Sequence, residues 1–374
     1  MANLIRVAIA AVIAFTALYF YDQSRIDPER FGVDTSVQLP QESQNGRFYT
    51  ASSVKRIGGM IADYRAHPIR AEGGCNPFTI LWLGNSQLHI VNQAKPGDHT
   101  SPYWLRHTLD CPRTTVPLGV SLANANLQEH YLLTEYATAR VPVDLVILAV
   151  CFDKLRDDGL RPEFSGIIDG RDRANLSKDA IGREMLRVSE KDWKQNESWD
   201  ENAGLNGFAQ KYLEDRLVAG LAELSPLWAD RSNLRTLALV DLYHLRNAVL
   251  GIKGTTVRKA IPVRWQRNMR AMEALLKHAQ ENNIRVVVYV QPIRQDVPMP
   301  YDPVEYAAWK QELAQLVPRY GATLLNFESL VPGEDWGIFD VTVDVDFMHF
   351  RNQGHKLLAA ALAPYVRAAQ KEVR

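Results

Sequence analysis

Apolar residues in this chain follow two spacings that take turns. Phe78 to Leu83 is an apolar run on both faces, as a strand in the middle of a parallel sheet must be, and Val143 to Val150 is the clearest run of the same kind. Thr114 to Leu118, Ile284 to Val290 and Ala322 to Phe327 complete a set of five predicted strands. Between them apolar positions recur every three or four residues. That spacing predicts helices over Thr50 to His67 (Val54, Ile57, Ile61, Tyr64), Pro102 to Leu109 and Asn124 to Arg140 (Leu127, Tyr131, Leu132, Tyr136). Further helices are predicted over Trp265 to Asn282, Pro303 to Tyr320 and Asn352 to Gln370. Strands alternating with helices give an α/β fold, a parallel sheet covered by helices on both faces.

The alternation pauses after the third strand. Asp157 to Val263 is charged and turn-rich through Gly159, Gly166, Gly170 and the stretch Trp193 to Asn206, then helical over Phe208 to Leu224 and Leu227 to Leu250. It is read as an insertion, about 157–263, in a domain spanning 50–374. The apolar face in Leu234 to Leu250 either packs within the insertion, over the active face, or meets a partner or the membrane surface.

The N-terminus is different again. Leu4 to Tyr21 is broken only by Arg6 and Thr16, and as a helix it spans roughly 27 Å, enough to cross a bilayer. It ends in Leu18-Tyr19-Phe20-Tyr21, an aromatic cluster suited to a membrane interface, where a signal peptide would show small residues. Residues 1–21 are therefore expected to be an uncleaved transmembrane anchor, with a buried core helix as the alternative. Arg6 on one side and Arg25 and Arg30 on the other, mixed with Asp22, Asp27 and Glu29, leave its orientation open. Residues 22–49, polar and carrying Pro28 and Pro40, read as a tether.

Composition adds one exclusion. Lys plus Arg and Asp plus Glu each number 43 in 374 residues, so the formal charge is zero and nothing suggests a nucleic-acid partner. Cys75 and Cys111 each stand three residues before a predicted strand. In adjacent parallel strands they would lie side by side, either as a disulfide, implying an oxidising compartment, or as two unpaired thiols.

In an open parallel sheet ligands bind beyond the carboxyl ends of the strands. Ser86 follows the first strand in Gly84-Asn85-Ser86, where the glycine permits a tight turn and the serine is the candidate nucleophile. Its hydroxyl needs a base, and the base needs an orienting acid. Asp346-Phe347-Met348-His349 supplies both, since an Asp three residues before a His folds back in a turn onto Nδ1–H and leaves Nε2 to face a serine. The other strand ends offer Ala123, Asn124, Asp153, Gln291 and Arg294 as oxyanion or substrate-binding candidates. His89 lies near Ser86 without an acid partner, while His130 and His355 read as packed or solvated. No Cys/His spacing suggests zinc and no glycine-rich phosphate loop is present, so neither metal nor cofactor is expected.

Gly84-Asn85-Ser86 with Asp346-x-x-His349 resembles the SGNH (GDSL-like) hydrolase superfamily over roughly Phe78 to Arg374, the insertion excluded. The resemblance implies a three-layer, flavodoxin-like fold and Ser-His-Asp chemistry at an ester or acyl group. Two positions depart from it. Val120 to Asn124 has no glycine where the family places an oxyanion-hole N–H, and Asp153 stands where the family has an Asn donor. A carboxylate cannot donate, so either the hole uses Ser86 N–H and an N–H of the Val120 to Asn124 segment, with Asn124 or Asn126, or Asp153 serves another purpose, such as holding a substrate amine or Arg156. With its anchor and these departures, the chain resembles membrane-anchored members that accompany membrane-bound O-acyltransferases, among them the D-alanyl-lipoteichoic-acid transfer protein and the alginate and peptidoglycan O-acetylation proteins. That likeness implies O-acyl transfer to an extracytoplasmic polymer or glycan with such an acyltransferase as partner. A glycan or lipid esterase and a catalytically degenerate scaffold are the alternatives.

Overall fold

The computed structural model describes residues 49–201, 256–339 and 344–373, together with Thr16. Apart from Thr16 and Tyr49, the expected anchor and tether lie outside these residues, as do the expected helices of 208–250. The chain divides into two compact units, Met1–Val33 with Lys194–Lys253 and Asp34–Trp193 with Gly254–Arg374. The second holds every strand described below.

Its main sheet has strands β1 (Tyr49–Ala51), β2 (Phe78–Gly84), β3 (Thr115–Ser121), β4 (Leu145–Val150), β5 (Arg285–Val290) and β6 (Thr323–Asn326). They are all parallel, in the order β1-β3-β2-β4-β5-β6. Helices are α1 (Val54–Ala66), α2 (Ser86–His89), α3 (Ser101–Thr108), α4 (Leu127–Thr138), α5 (Gly170–Leu176), α6 (Ala180–Glu201), α7 (Pro262–Glu281), α8 (Pro303–Arg319) and α9 (Asn352–Val373). Strand alternation sorts the core into two layers. Leu81, Leu83, Val146, Leu148, Val286 and Val288 face α1, α4, α7 and α8, whereas Ile80, Trp82, Ile147, Val287 and Tyr289 face α3 and α9. The result is helix, sheet, helix. Among the described residues no helix is long and apolar enough to cross a membrane.

Four expectations are corrected. The sheet has six strands, not five, because Tyr49–Ala51 pairs with Leu118–Val120; three residues are too few for a period of two to register. Strand β3 runs on to Ser121, past Gly119, which accommodates the close pass of β1: an added Cβ there would meet the Thr50 side chain at 3.4 Å. The stretch from Trp193, read as turn-rich, begins inside α6, whose buried residues Ile181, Met185, Ser189 and Trp193 form one helical stripe beneath many charges. Finally, the loop expected before α9 is an antiparallel hairpin of β7 (Trp336–Phe339) and β8 (Asp344–Phe350). Its acidic residues, depleted in strands generally, hid it.

Cys75 and Cys111 are joined by a disulfide, Cα to Cα 6.0 Å, near the amino ends of β2 and β3. At the other layer His355 fixes α9 in place. Ser101 N–H and Oγ–H donate to its Nδ1 at 3.1 and 2.8 Å, so Nε2 carries the hydrogen and donates to the Ile90 carbonyl at 2.9 Å. Burial, with His349 and His89 adding to it and the Ile90 carbonyl opposing, lowers this imidazole to about 3.

Two outcomes follow from these anchors. Replacing both Cys75 and Cys111 by Ser opens a loop of 36 residues' separation and should cost about 3 to 4 kcal/mol in denaturant unfolding. Because the folded pKa of His355 lies below its unfolded value near 6.5, its stabilisation is whole above that pH and fades as pH falls towards 3. His355→Gln should therefore melt below wild type at pH 8, yet lose less stability than wild type between pH 6.5 and 4.

Candidate active site

The carboxyl ends of β2, β3, β4 and β5 lie together, with Gly84 opposite Ser121 and Val150 opposite Val290. At Gly84 the chain folds so tightly into α2 that an added Cβ would stand 2.9 Å from Leu88 Cβ. Asn85 caps the turn, its Oδ1 accepting from Gln87 N–H at 3.0 Å. The same side chain forms a reciprocal amide pair with Gln291 at the end of β5, Nδ2–H to Oε1 at 3.0 Å and Nε2–H back to Oδ1 at 3.1 Å. An Asp here would have no donor to offer Gln291.

Ser86 opens α2, half-buried, and its own N–H has no intrahelical acceptor because it lies in the first turn. Ser86 Oγ is 2.8 Å from His349 Nε2, and His349 Nδ1 is 2.9 Å from Asp346 Oδ2. Asp346 is fully buried and accepts also from Met348 N–H (2.8 Å), His349 N–H (3.0 Å) and Asn92 Nδ2–H (2.7 Å). A carboxylate so placed is acceptor only, so His349 carries its hydrogen on Nδ1 and presents the Nε2 lone pair to the Ser86 hydroxyl. The three residues foreseen from the sequence thus meet in hydrogen-bond contact, although Ser86 and His349 stand far apart in the chain.

Side chains with no sequence signal complete the support. Asn92 reaches Asp346 only because residue 337 is glycine: an added Cβ would fall 1.9 Å from Asn92 Cγ. Gln87 Nε2–H donates to the Met348 carbonyl at 2.8 Å and the Pro292 carbonyl at 3.2 Å, tying the helix of Ser86 to the strand of His349. No periodicity or motif marks either residue, since each acts on main chain or carboxylate brought close only by the fold.

The remaining candidates divide. Gln291 is part of the site's frame. Arg294 pairs with Asp296 at 2.7 Å and donates to the Gly337 carbonyl at 2.9 Å, so it braces the hairpin behind Asp346. Ala123 and Asn124 occupy an exposed turn after β3; Asn124 has a left-handed backbone (φ 56°), and the Ala123 carbonyl accepts from Arg161 at 3.0 Å. Asp153 holds arginines: its Oδ2 accepts from Arg258 Nη1 and Tyr301 Oη, each at 2.8 Å, and Arg156 stands 3.7 Å from Oδ1. The carboxylate is thereby a partner of two arginines and a tyrosine, not a donor to the site. Arg258 in turn lies over the Phe347 ring, 4.9 Å from its centre, beside the Asp346 to His349 segment.

His130 is packed, with Nδ1 3.4 Å from the buried Lys154 ammonium. Burial first, then Lys154, pushes the His130 imidazole well below its usual range. Burial lowers Lys154 to about 8. No protein-family model matches the chain, and no characterised protein matches it in sequence.

Gly337→Ala should displace Asn92 and leave Asp346 with one donor fewer. The expected result is about a 10-fold lower kcat on any ester the protein turns over, the size of one lost hydrogen bond to a charge, with KM little changed.

Proposed function

We propose that this chain is an extracytoplasmic serine-dependent O-acyltransferase that passes an acyl group to a hydroxyl of a cell-surface polymer. The observation that carries the reading is the unbroken hydrogen-bonded chain Ser86–His349–Asp346 at the carboxyl edge of a parallel sheet. Counted from β2, the strand order reads 2-1-3-4-5 with β1 added outside, which supports the SGNH-like, flavodoxin-like assignment.

The chemistry follows from the hydrogens. His349 Nε2 takes the Ser86 proton as Oγ attacks the acyl carbonyl, and Asp346 stabilises the imidazolium that forms. The tetrahedral oxyanion gains the Ser86 N–H. Collapse returns the proton from His349 to the departing oxygen and leaves an acyl ester on Ser86. An acceptor hydroxyl then gives its proton to His349, attacks the acyl carbon and releases Ser86 with the proton returned. Water in place of that hydroxyl gives hydrolysis, so transfer depends on the acceptor's being bound.

Three features support the wider setting. The Cys75–Cys111 disulfide is of the kind kept in oxidising compartments. The apolar run of residues 4–21 suits a membrane anchor, and an anchored acyl carrier suits a membrane-bound O-acyltransferase as donor. The arginine partners of Asp153 account for a carboxylate at the position where the resembled family has a donor.

In the test, the full chain is treated with a fluorophosphonate probe and, separately, given p-nitrophenyl acetate with and without hydroxyl-bearing polymers. Wild type should be labelled at Ser86 and should acetylate polymer. Ser86→Ala should lose labelling and fall by at least about 10⁴-fold in turnover. Ester cleavage that acceptor never diverts would leave an esterase, and an unlabelled, equally active Ser86→Ala would end the covalent mechanism.

A further inference from the structure

The triad leaves unused two buried polar side chains beside the nucleophile, Ser121 and His89. Ser121 ends β3 directly across the ladder from Gly84. Its hydroxyl donates to the Asn85 carbonyl at 2.7 Å, and the same carbonyl accepts from Leu88 N–H at 3.0 Å. A serine hydroxyl has one hydrogen. With that hydrogen on Asn85, Ser121 Oγ acts as acceptor towards its other close neighbour, His89 Nδ1, which must therefore carry the imidazole's hydrogen. Burial first, then the nearness of His349, lowers His89 to about 4, so above that pH the ring is neutral and this arrangement holds.

The Asn85 carbonyl and the Ser86 N–H belong to one planar peptide. A donor on the carbonyl draws electron density from the nitrogen and strengthens the N–H as a donor, and it fixes the plane in which that N–H points. The effect matters more here than in a site with a side-chain donor at the end of the third core strand, because Asp153 supplies none and is held by Arg258.

We propose that Ser121, oriented by His89, is a positioning residue for the acyl-transfer step: it locks and polarises the Asn85–Ser86 peptide so that Ser86 N–H meets the developing oxyanion. The proposal rests on the reading of Ser86 as nucleophile. The chain His89 Nδ1–H to Ser121 Oγ–H to Asn85 carbonyl places two side chains, neither touching the reacting atoms, in command of one main-chain donor. Substituting Thr for Ser121 preserves the hydroxyl; substituting Ala removes it at little cost in volume.

The experiment uses the full chain as wild type, Ser121→Ala, Ser121→Thr, His89→Leu and Ser86→Ala. It measures the fluorophosphonate labelling rate at Ser86, kcat and KM on p-nitrophenyl acetate, and the melting temperature. Ser121→Ala should label and turn over about 10-fold more slowly, less than the loss of a whole oxyanion donor, with KM within about twofold. Ser121→Thr should stay near wild type, and His89→Leu should show a smaller slowing than Ser121→Ala. Wild-type rates in Ser121→Ala would overturn the proposal, as would equal losses in the Ala and Thr variants, which would mean that side-chain shape and not the hydroxyl matters. Should Ser121→Ala show no melting transition, His89→Leu decides, and a wild-type rate in it overturns the proposal. If Ser86 in the wild type takes no label and Ser86→Ala is as active as wild type, the nucleophile assignment fails and this inference with it; a labelled Ser86 with an indifferent Ser121 overturns this inference alone.

Discussion

A carboxylate removed from water costs several kcal/mol unless donors replace what water gave, and Asp346 is wholly buried. Much of the local architecture answers that demand. Its acceptors are met by two main-chain N–H groups of its own strand, the imidazole it orients and the amide of Asn92 from the segment after α2. For Asn92 to arrive, β7 must carry a glycine where it crosses, and for β7 to stay there Arg294 holds its carbonyl. One buried charge thus sets the residue at 337, the path of the hairpin and the position of the imidazole that faces Ser86.

The hydrogen bonds around Asn85 and Ser86 come from neutral groups instead. Asn85 caps α2, is paired with Gln291, and has its carbonyl taken by Ser121 and Leu88. Gln87 then links α2 to the Met348 carbonyl, so the two halves of the site are joined by an amide rather than by a salt bridge. Asp153 is taken up by Arg258 and Arg156 and not by this frame.

How much of this could be read in the sequence depends on the kind of signal. Strands buried on both faces announce themselves by composition, so β2, β4 and β5 were placed within a residue or two. The edge strand β1 and the hairpin strand β8 escaped because one is three residues long and the other carries acids, which strands generally lack. Ser86, Asp346 and His349 were legible since each lies in a short stretch whose spacing has a chemical reason. Asn92, Gln87 and Ser121 were not, for their partners are carbonyls and a carboxylate from distant segments, and distance in sequence leaves no periodic trace. Asp153 was legible as a departure, but its partner Arg258 lies about a hundred residues away and only the fold brings it near.

The amide pair of Asn85 and Gln291 has one more consequence, which concerns acidity. Neither group ionises at any pH a protein survives. Had residue 85 been an aspartate, the carriage that holds the serine would itself take up and lose protons, and its shape would follow the medium. With two carboxamides the pair is indifferent to acid. The amide pair behind the serine therefore keeps its hydrogen bonds whatever the acidity of the medium.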